Sequence, residues 1–404
     1  MSTSLLYHGW GLRGYQYRRT DYGEGGIVFT IEPQPHQLRC GHCGGDRVMR
    51  QGRVCRRFRT TPIGGRPVQL ELAIARLWCA SCSKTCQIKL DFADERVSYT
   101  HAFERYALEL CRRMTIQDVA KHLGVSWDVI KDMQKRHLQR RFKHIRLKHL
   151  KQIAIDEISI GKGHRYLTVV LDLDSGAVVF IGEGKGADAL DPFWKRLRAS
   201  GAKIKAVATD MSAAYLLAVA DHLPDAVHVL DRFHVMKLYN DKLSPLRRDI
   251  QRTAETVEQK RVIKGTRWLL VKNAETLDET RNERGRLDEA LRINQPLAAA
   301  YYLKEDLRQF WEQSSKRIAQ RFLDDWIARA EVSGLRMLIQ FAQTLRLHRR
   351  SLLAWYDYPI STGPLEATNN KIKTMQRQAY GYRDQECFRL KIHAIHETTY
   401  ALVG

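Results

Sequence analysis

The sequence is short of two things, long apolar runs and acids. No segment approaches the roughly 20 consecutive apolar residues of a membrane-spanning helix, and no positively charged leader precedes an apolar stretch. The expectation is therefore a cytoplasmic, nucleoid-associated protein without a membrane partner. Asp and Glu number 45 against 67 Lys and Arg, a formal net charge of +22. In residues 1–150 the count is 27 Lys and Arg against 13 Asp and Glu, and from Lys135 to Lys151, "KRHLQRRFKHIRLKHLK", there is no acid at all. Solubility would be served by either sign, whereas a positive excess concentrated in one third of the chain is the footprint of a polyanion binder. Eight cysteines in a cytoplasmic chain do not imply a disulfide framework. With 404 residues the chain is long enough for several domains, each with its own core.

The spacing of the cysteines matters more than their number. "CGHC" at Cys40–Cys43 and "CASC" at Cys79–Cys82 are two C-x-x-C knuckles separated by an alternating, strand-like segment, "RPVQLELAIARLW". Four thiolates so arranged suit a tetrahedral structural Zn2+, with Cys40, Cys43, Cys79 and Cys82 as ligands of a zinc ribbon over residues 1–95. Cys86 lies near enough to Cys82 to substitute for a ligand, and Cys55 is a further candidate. A redox pair is disfavoured because no βαβ pattern follows either knuckle.

Residues 96–151 carry a helix, "HAFERYALELCRRM", and then "TIQDVAKHLGVSWDVIKDMQKRHLQRRF". Ile116, Val119 and Ala120 share one helix face, Gly124 turns the chain, and Ser126 caps a second helix bearing Val129, Ile130 and Met133. That is the pattern of a helix-turn-helix whose second helix enters the major groove, although a plain helical hairpin has the same core stripe. The DNA-facing candidates are Ser126, Trp127, Lys131, Lys135, Arg136, Arg140 and Arg141. The acid-free stretch to Lys151 is expected to be a basic linker helix with phosphate as its counterion, a solvated helix being the alternative.

From residue 152 onward the chain alternates strands and helices. "IAIDEISI" sets Asp156 and Glu157 inside an apolar strand, and "RYLTVVLDLDSGAVVFIGEG" has a hairpin turn at Asp174–Gly176. A helix, the strand "KIKAVATD", another helix and the strand "AVHVLD" follow. Three antiparallel strands followed by alternating helix and strand match a ribonuclease H type of α/β layout. In it Asp156 and Asp210 lie on neighbouring strands. Their mutual repulsion calls for a divalent cation, and hard oxygen ligands suit Mg2+ or Mn2+. Glu157 points to the opposite face of its strand and is left out of the site. Glu366 lies in the first turn of a helix begun by Thr362, Gly363 and Pro364, as a third acid or as a simple capping residue. Lys371, Lys373 and Arg377 farther along can contact DNA phosphates.

Taken in order, the zinc ribbon, the helix-turn-helix, "IDEISIGKGHRYLTVVLD", "ATDMSAAY", "DRFHVMKL" and "GPLEATNNKIKTMQRQAYGYR" resemble the transposases of bacterial insertion sequences, specifically the ISL-three family of DDE transposases. The likeness runs over nearly the whole chain. It implies that Asp156, Asp210 and Glu366 match the catalytic acids, and that "DRFH" places Asp231 and His234 beside them, with His234 near the scissile phosphate. Alone, Asp231 reads as a helix cap and His234 as a satisfied helix histidine. The 155 residues between Asp210 and Glu366 contain an Arg-, Glu- and Leu-rich helical stretch that resembles an all-α insertion, with Trp268, Trp311 and Trp326 as core residues or as platforms for an unpaired base.

The expected organisation is thus a multidomain α+β protein. It has a zinc ribbon (1–95), a helix-turn-helix with its linker helix (96–151), a ribonuclease H-like α/β catalytic domain (152–243 and 356–404) and an all-α insertion (244–355). The implied activity is metal-dependent hydrolysis of double-stranded DNA at the terminal inverted repeats of an element and strand transfer into target DNA, with no covalent protein intermediate and with a homodimer on paired ends. The alternative is a zinc-containing helix-turn-helix regulator with an inactive nuclease-like domain. A nuclease without strand transfer would share every catalytic feature.

Overall fold

Alternating Val68, Leu70, Leu72 and Ile74 place one apolar face along a strand, and all four are buried against the same core. The computed structural model describes residues 4–23, 25–161 and 163–396. Residues 1–3, 24, 162 and 397–404, which fall within the expected domains, lie outside the described residues. The chain forms two compact units, one of residues 1–143 and 396–404 and one from His144 to Ile395.

The first unit comprises α1 (Leu5–Trp10), β1 (Tyr15–Gly23), β2 (Gly26–Pro33), β3 (Val48–Ile63), β4 (Arg66–Cys79) and β5 (Lys84–Gln87), followed by three helices. The sheet order is β1-β2-β4-β3, with β5 also paired to β4. Leu6, Trp10, Leu12 and Tyr15, in a segment whose sequence suggested no role, join the core of this sheet. The helices are α2 (His101–Leu110), α3 (Ile116–Leu123) and α4 (Trp127–Phe142). Thr100, Thr115 and Ser126 cap them, each hydroxyl accepting a backbone N–H three residues on. Gly124 makes the turn between α3 and α4 with φ +61°, a conformation that costs a side-chain-bearing residue energy. Val119, Ala120, Ile130 and Met133 pack with Phe103 beneath the turn. The Arg59 guanidinium of β3 donates to Leu123 O at 2.6 Å and ties the helices to the sheet.

The linker differs from expectation. Helix α4 ends at Phe142 instead of continuing to Lys151, and Leu147 and Leu150 are buried in the core of the second unit. Burying two leucines gains more than prolonging a helix whose like charges repel.

The second unit is built on β6 (Gln152–Gly161), β7 (Arg165–Asp172) and β8 (Val178–Glu183), an antiparallel meander, then α5 (Asp191–Ser200), β9 (Ala206–Thr209), α6 (Ala213–His222) and β10 (Val227–Leu230). Strand β9 pairs parallel to β6 and β10 parallel to β9, giving the order β10-β9-β6-β7-β8. Seven helices follow: α7 (Arg232–Thr253), α8 (Val257–Lys264), α9 (Glu283–Ile293), α10 (Gln295–Arg308), α11 (Lys316–Val332), α12 (Arg336–Leu347) and α13 (Arg349–Leu353). The chain returns to the sheet as α14 (Gly363–Gln378) and α15 (Gln385–His393). One face of the sheet packs Ile153, Ile155 and Val207 against Trp194 of α5 and Tyr215 of α6. The other packs Ala154, Ile158 and Val169 against Leu365 and Ile372 of α14 and Phe388 of α15. The result is a mixed α/β unit with both sheet faces covered, and no helix among the described residues is long and apolar enough to cross a membrane.

A boundary at Ser244 falls inside α7, which runs unbroken through Pro245. Val235, Tyr239 and Leu243 already belong to the helical core, so the helix cannot be divided there without cutting that core. Trp326 sits at its centre, fully buried, its Nε1 donating to Leu303 O at 2.8 Å and its ring in edge contact with Tyr239 and Phe341. Trp311 is buried nearby, whereas Trp268 is 66% exposed. Trp326→Ala is expected to destabilise this unit by about 3–5 kcal/mol, from the transfer and cavity terms of a buried aromatic. Denaturant unfolding followed by circular dichroism checks the loss.

Candidate active site

The alternation along β6 turns Ile153 and Ile155 to the α5–α6 face and Ala154 and Ile158 to the α14–α15 face. Asp156 shares the second face, and its Oδ2 accepts a hydrogen bond from Asn369 Nδ2 of α14 at 3.0 Å. Its Oδ1 accepts the Glu157 N–H at 2.8 Å. Glu157 points the other way, toward Tyr215.

The parallel register brings further acids to this place. Ile155 pairs with Thr209, and Thr209 with Leu230, so Asp210 and Asp231 leave the ends of β9 and β10 side by side. Asp210 Oδ1 accepts the Ser212 N–H at 2.9 Å. Asp231, almost wholly buried, caps α7 and accepts from the His234 N–H. The same carboxylate reaches His234 Nδ1 at 3.2 Å and takes the Thr362 N–H at 3.1 Å through Oδ1. Thr362 is the first residue of the turn into α14, and the Glu366 N–H bonds back to its carbonyl at 2.8 Å. Asp231 therefore joins the end of β10 to the start of the helix that carries Glu366.

The charges respond to one another. Burial, reinforced by Asp210 and Glu157 and opposed by His234, pushes the Asp156 carboxyl up to about 6. Burial alone would lower His234, but its Asp231 hydrogen bond and the charges of Asp156 and Asp210 outweigh it and hold the imidazole above its usual range. Asp231 moves down: burial raises it, and the His234 and Thr362 hydrogen bonds more than compensate. The shifts of Asp231 and His234 each favour the charged form of the pair, while burial outweighs His234 at Asp156.

Among the described residues, the one group of three or more His, Cys, Asp or Glu whose ligand atoms all lie within 4.8 Å is Cys40, Cys43, Cys79 and Cys82. Asp156 and Asp210 act on each other at the sheet, and α14, which carries Glu366, reaches them through Asn369. Carboxylate oxygens are hard donors of the kind Mg2+ and Mn2+ would take.

The cysteine quartet can hold a metal ion. Each knuckle is followed by a residue in the left-handed region, Gly44 at φ +75° and Ser83 at φ +51°, which folds backbone amides back toward sulfur. The Cys43 and His42 amides, acting against burial, draw the Cys40 thiol down to about 6. Cys86 Sγ stands 3.5 Å from Cys40 Sγ outside the quartet, and Cys55 is exposed on β3.

The basic candidates separate by face. On α4, Trp127 is 43% exposed with the Lys131 ammonium 5.5 Å over its ring. Lys135 is half-buried and Arg141 exposed. Ser126 uses its hydroxyl as the helix cap. Two others have partners within their own unit: half-buried Arg136 lies over the Tyr99 ring, and Arg140, still exposed, pairs with Glu104 at 2.7 Å and reaches Asp94 at 3.8 Å. On α14, Lys371 is half-buried, Lys373 is exposed, and Arg377 is exposed and donates to Thr374 Oγ1. Sequence reasoning gave Asn369 no role, although its spacing three residues after Glu366 puts both on one helix face.

The ISL3 DDE transposase family model matches residues 153–392, and the model for the helix-turn-helix domain of transposase family ISL3 matches residues 88–138. The transposase for insertion sequence element IS1001 of Bordetella parapertussis is 34% identical over 397 residues, covering 95% of this chain and 96% of that one. The transposase for insertion sequence element IS1557 of Mycobacterium tuberculosis is 28% identical, covering 92% of this chain and 89% of its own. The Drosophila P element transposase strand transfer complex superposes with a TM-score of 0.41 at 10% identity over 76% of this chain and 94% of that chain.

The purified chain is expected to carry a stoichiometric transition-metal ion that Cys79→Ser removes and Cys55→Ser does not. Elemental analysis of the two variants checks this, and Cys86→Ser shows whether the fifth thiol contributes.

Proposed function

The chain belongs to the ISL3 family of transposases, and on that premise we propose that it is a DNA transposase whose reacting centre is Asp156, Asp210 and Glu366, with His234 beside them. The observation that carries this reading is the β6–β9 register, which sets Asp156 in mid-strand next to Asp210 at the end of β9, together with the Asp231–Thr362 and Asn369–Asp156 hydrogen bonds that bring the start of α14, the helix of Glu366, to the same place. On this reading the sheet order, with its antiparallel meander and parallel β9 and β10, is the ribonuclease H arrangement. Helices α7 to α13 are then the insertion that interrupts it.

Magnesium or manganese, when bound by these oxygens, supplies the Lewis acidity that activates the attacking oxygen and stabilises the leaving one. The protein's own groups do the rest. Asp156 and Asp210 hold fixed negative charge on rigid mounts. Asp231 keeps His234 protonated and oriented, so the imidazolium faces a phosphate diester with a positive charge and a donor. Water attacks the phosphodiester at each element end, and the freed 3′-hydroxyl then attacks target DNA in line, with no covalent protein intermediate.

The remaining roles follow from charge and shape. Zinc in the cysteine quartet fixes the two knuckles at the end of the β3–β4 hairpin. Helix α4 enters the major groove of the terminal repeat with Trp127 and Lys131 foremost, Lys135 and Arg141 on the flanking backbone, and Ser126 setting the helix start. Arg136 and Arg140, farther along the same helix, are further candidates for phosphate. Lys371, Lys373 and Arg377 approach phosphates near the centre. Joining two ends in one event calls for a homodimer on paired ends.

Cleavage of a labelled duplex bearing the element's terminal repeat is expected in Mg2+, and to fall by orders of magnitude in Asp156→Asn, in Asp210→Ala and in EDTA. Joined products on a supercoiled target would distinguish transposition from simple nuclease action. Specific binding without cutting by the wild type in any divalent ion would instead indicate a regulator.

A further inference from the structure

Inside the acid cluster one buried acceptor has no partner. Asn369 is 5% exposed; its Nδ2 donates to Asp156 Oδ2 at 3.0 Å, and its Oδ1 makes no hydrogen bond. The reverse orientation of the amide would set its oxygen against a carboxylate oxygen, so Nδ2 is the prong that faces Asp156. Because both prongs leave the same carbon, Oδ1 lies beside that carboxylate. A buried amide oxygen gives up its hydrogen bonds to water and is seldom left without replacement. Asparagine is also a poor residue for a helix interior, and Asn369 sits in the middle of α14, one turn from Glu366.

We propose that Asn369 is a positioning residue for the cation site: its amide nitrogen holds Asp156 in the rotamer that presents the carboxylate, and its oxygen accepts a hydrogen bond from water on the cation. The inference rests on the reading of Asp156 as a metal ligand. A neutral amide suits this task. A lysine or arginine in its place would neutralise Asp156 and compete with the cation, and a carboxylate would add a like charge beside one already buried. The amide fixes the direction of Asp156 while leaving its charge available.

The test uses the full chain, with the cysteine site loaded with zinc so that it takes no manganese. Mn2+ binding is followed by the electron paramagnetic resonance of the free ion, alongside cleavage of the terminal-repeat duplex. Asn369→Ala and the isosteric Asn369→Leu are compared with Asp156→Asn, the leucine serving if the alanine cavity prevents folding. Loss of an outer hydrogen bond to a metal ligand predicts a rise of about 10–100-fold in the half-saturating Mn2+ concentration, in binding and in cleavage alike. Cutting should return at saturating Mn2+, with the variants shown to be folded by circular dichroism in metal-free buffer. If the Asn369 variants titrate within about two-fold of wild type while Asp156→Asn loses its Mn2+, Asn369 is only a structural tie and the inference fails. If Asp156→Asn binds Mn2+ and cuts like wild type, the metal reading of Asp156 fails first and carries the inference with it.

Discussion

A carboxylate in the interior strand of a sheet covered on both faces is the constraint around which the second unit is arranged. Asp156 cannot be hydrated as a surface acid would be, and its pKa is displaced upward by burial. Its direct partners are a neutral amide from α14 and the backbone N–H of its neighbour. The fold thus keeps a carboxylate at a rigid point without a paired cation, a condition that the proposed divalent cation would relieve.

The neighbouring groups act on the same end of the sheet. Asp231 is fully compensated, by His234 on one side and the Thr362 amide on the other, so it serves as a clasp between the end of β10 and the start of α14. That clasp matters because about 130 residues of helix separate the two pieces in the chain. Chain connectivity alone would leave the position of Glu366 poorly defined. The clasp, the Asn369 bond and the burial of Leu365 and Ile372 against β6 and β7 define it instead.

The first unit applies a different economy. Its excess positive charge is spread over exposed strand and helix surfaces, but some arginines have partners inside the unit: Arg59 a helix-end carbonyl and Arg136 an aromatic ring, while exposed Arg140 is partly offset by two acids. A basic sequence run is therefore not equivalent to a basic surface. Which side chains remain for phosphate depends on the acids and rings that the fold brings alongside them.

Periodicity and spacing by themselves determined much of this protein. The C-x-x-C pairs announced four clustered thiols, the capped helices around Gly124 announced the helix-turn-helix, and the order of apolar segments announced the meander and the two parallel strands. These are properties of neighbours in the chain, where local geometry converts sequence spacing into position. Glu157 was assigned to the far face by strand alternation alone. Tertiary structure decided what local spacing cannot reach: that α4 stops at Phe142 because Leu147 and Leu150 find a core, that α7 runs through the expected boundary, that Arg136 settles over the Tyr99 ring, and that Asn369 meets Asp156 from 213 positions away. Each outcome depends on which surface a side chain meets after packing, and that surface is made by residues distant in the chain.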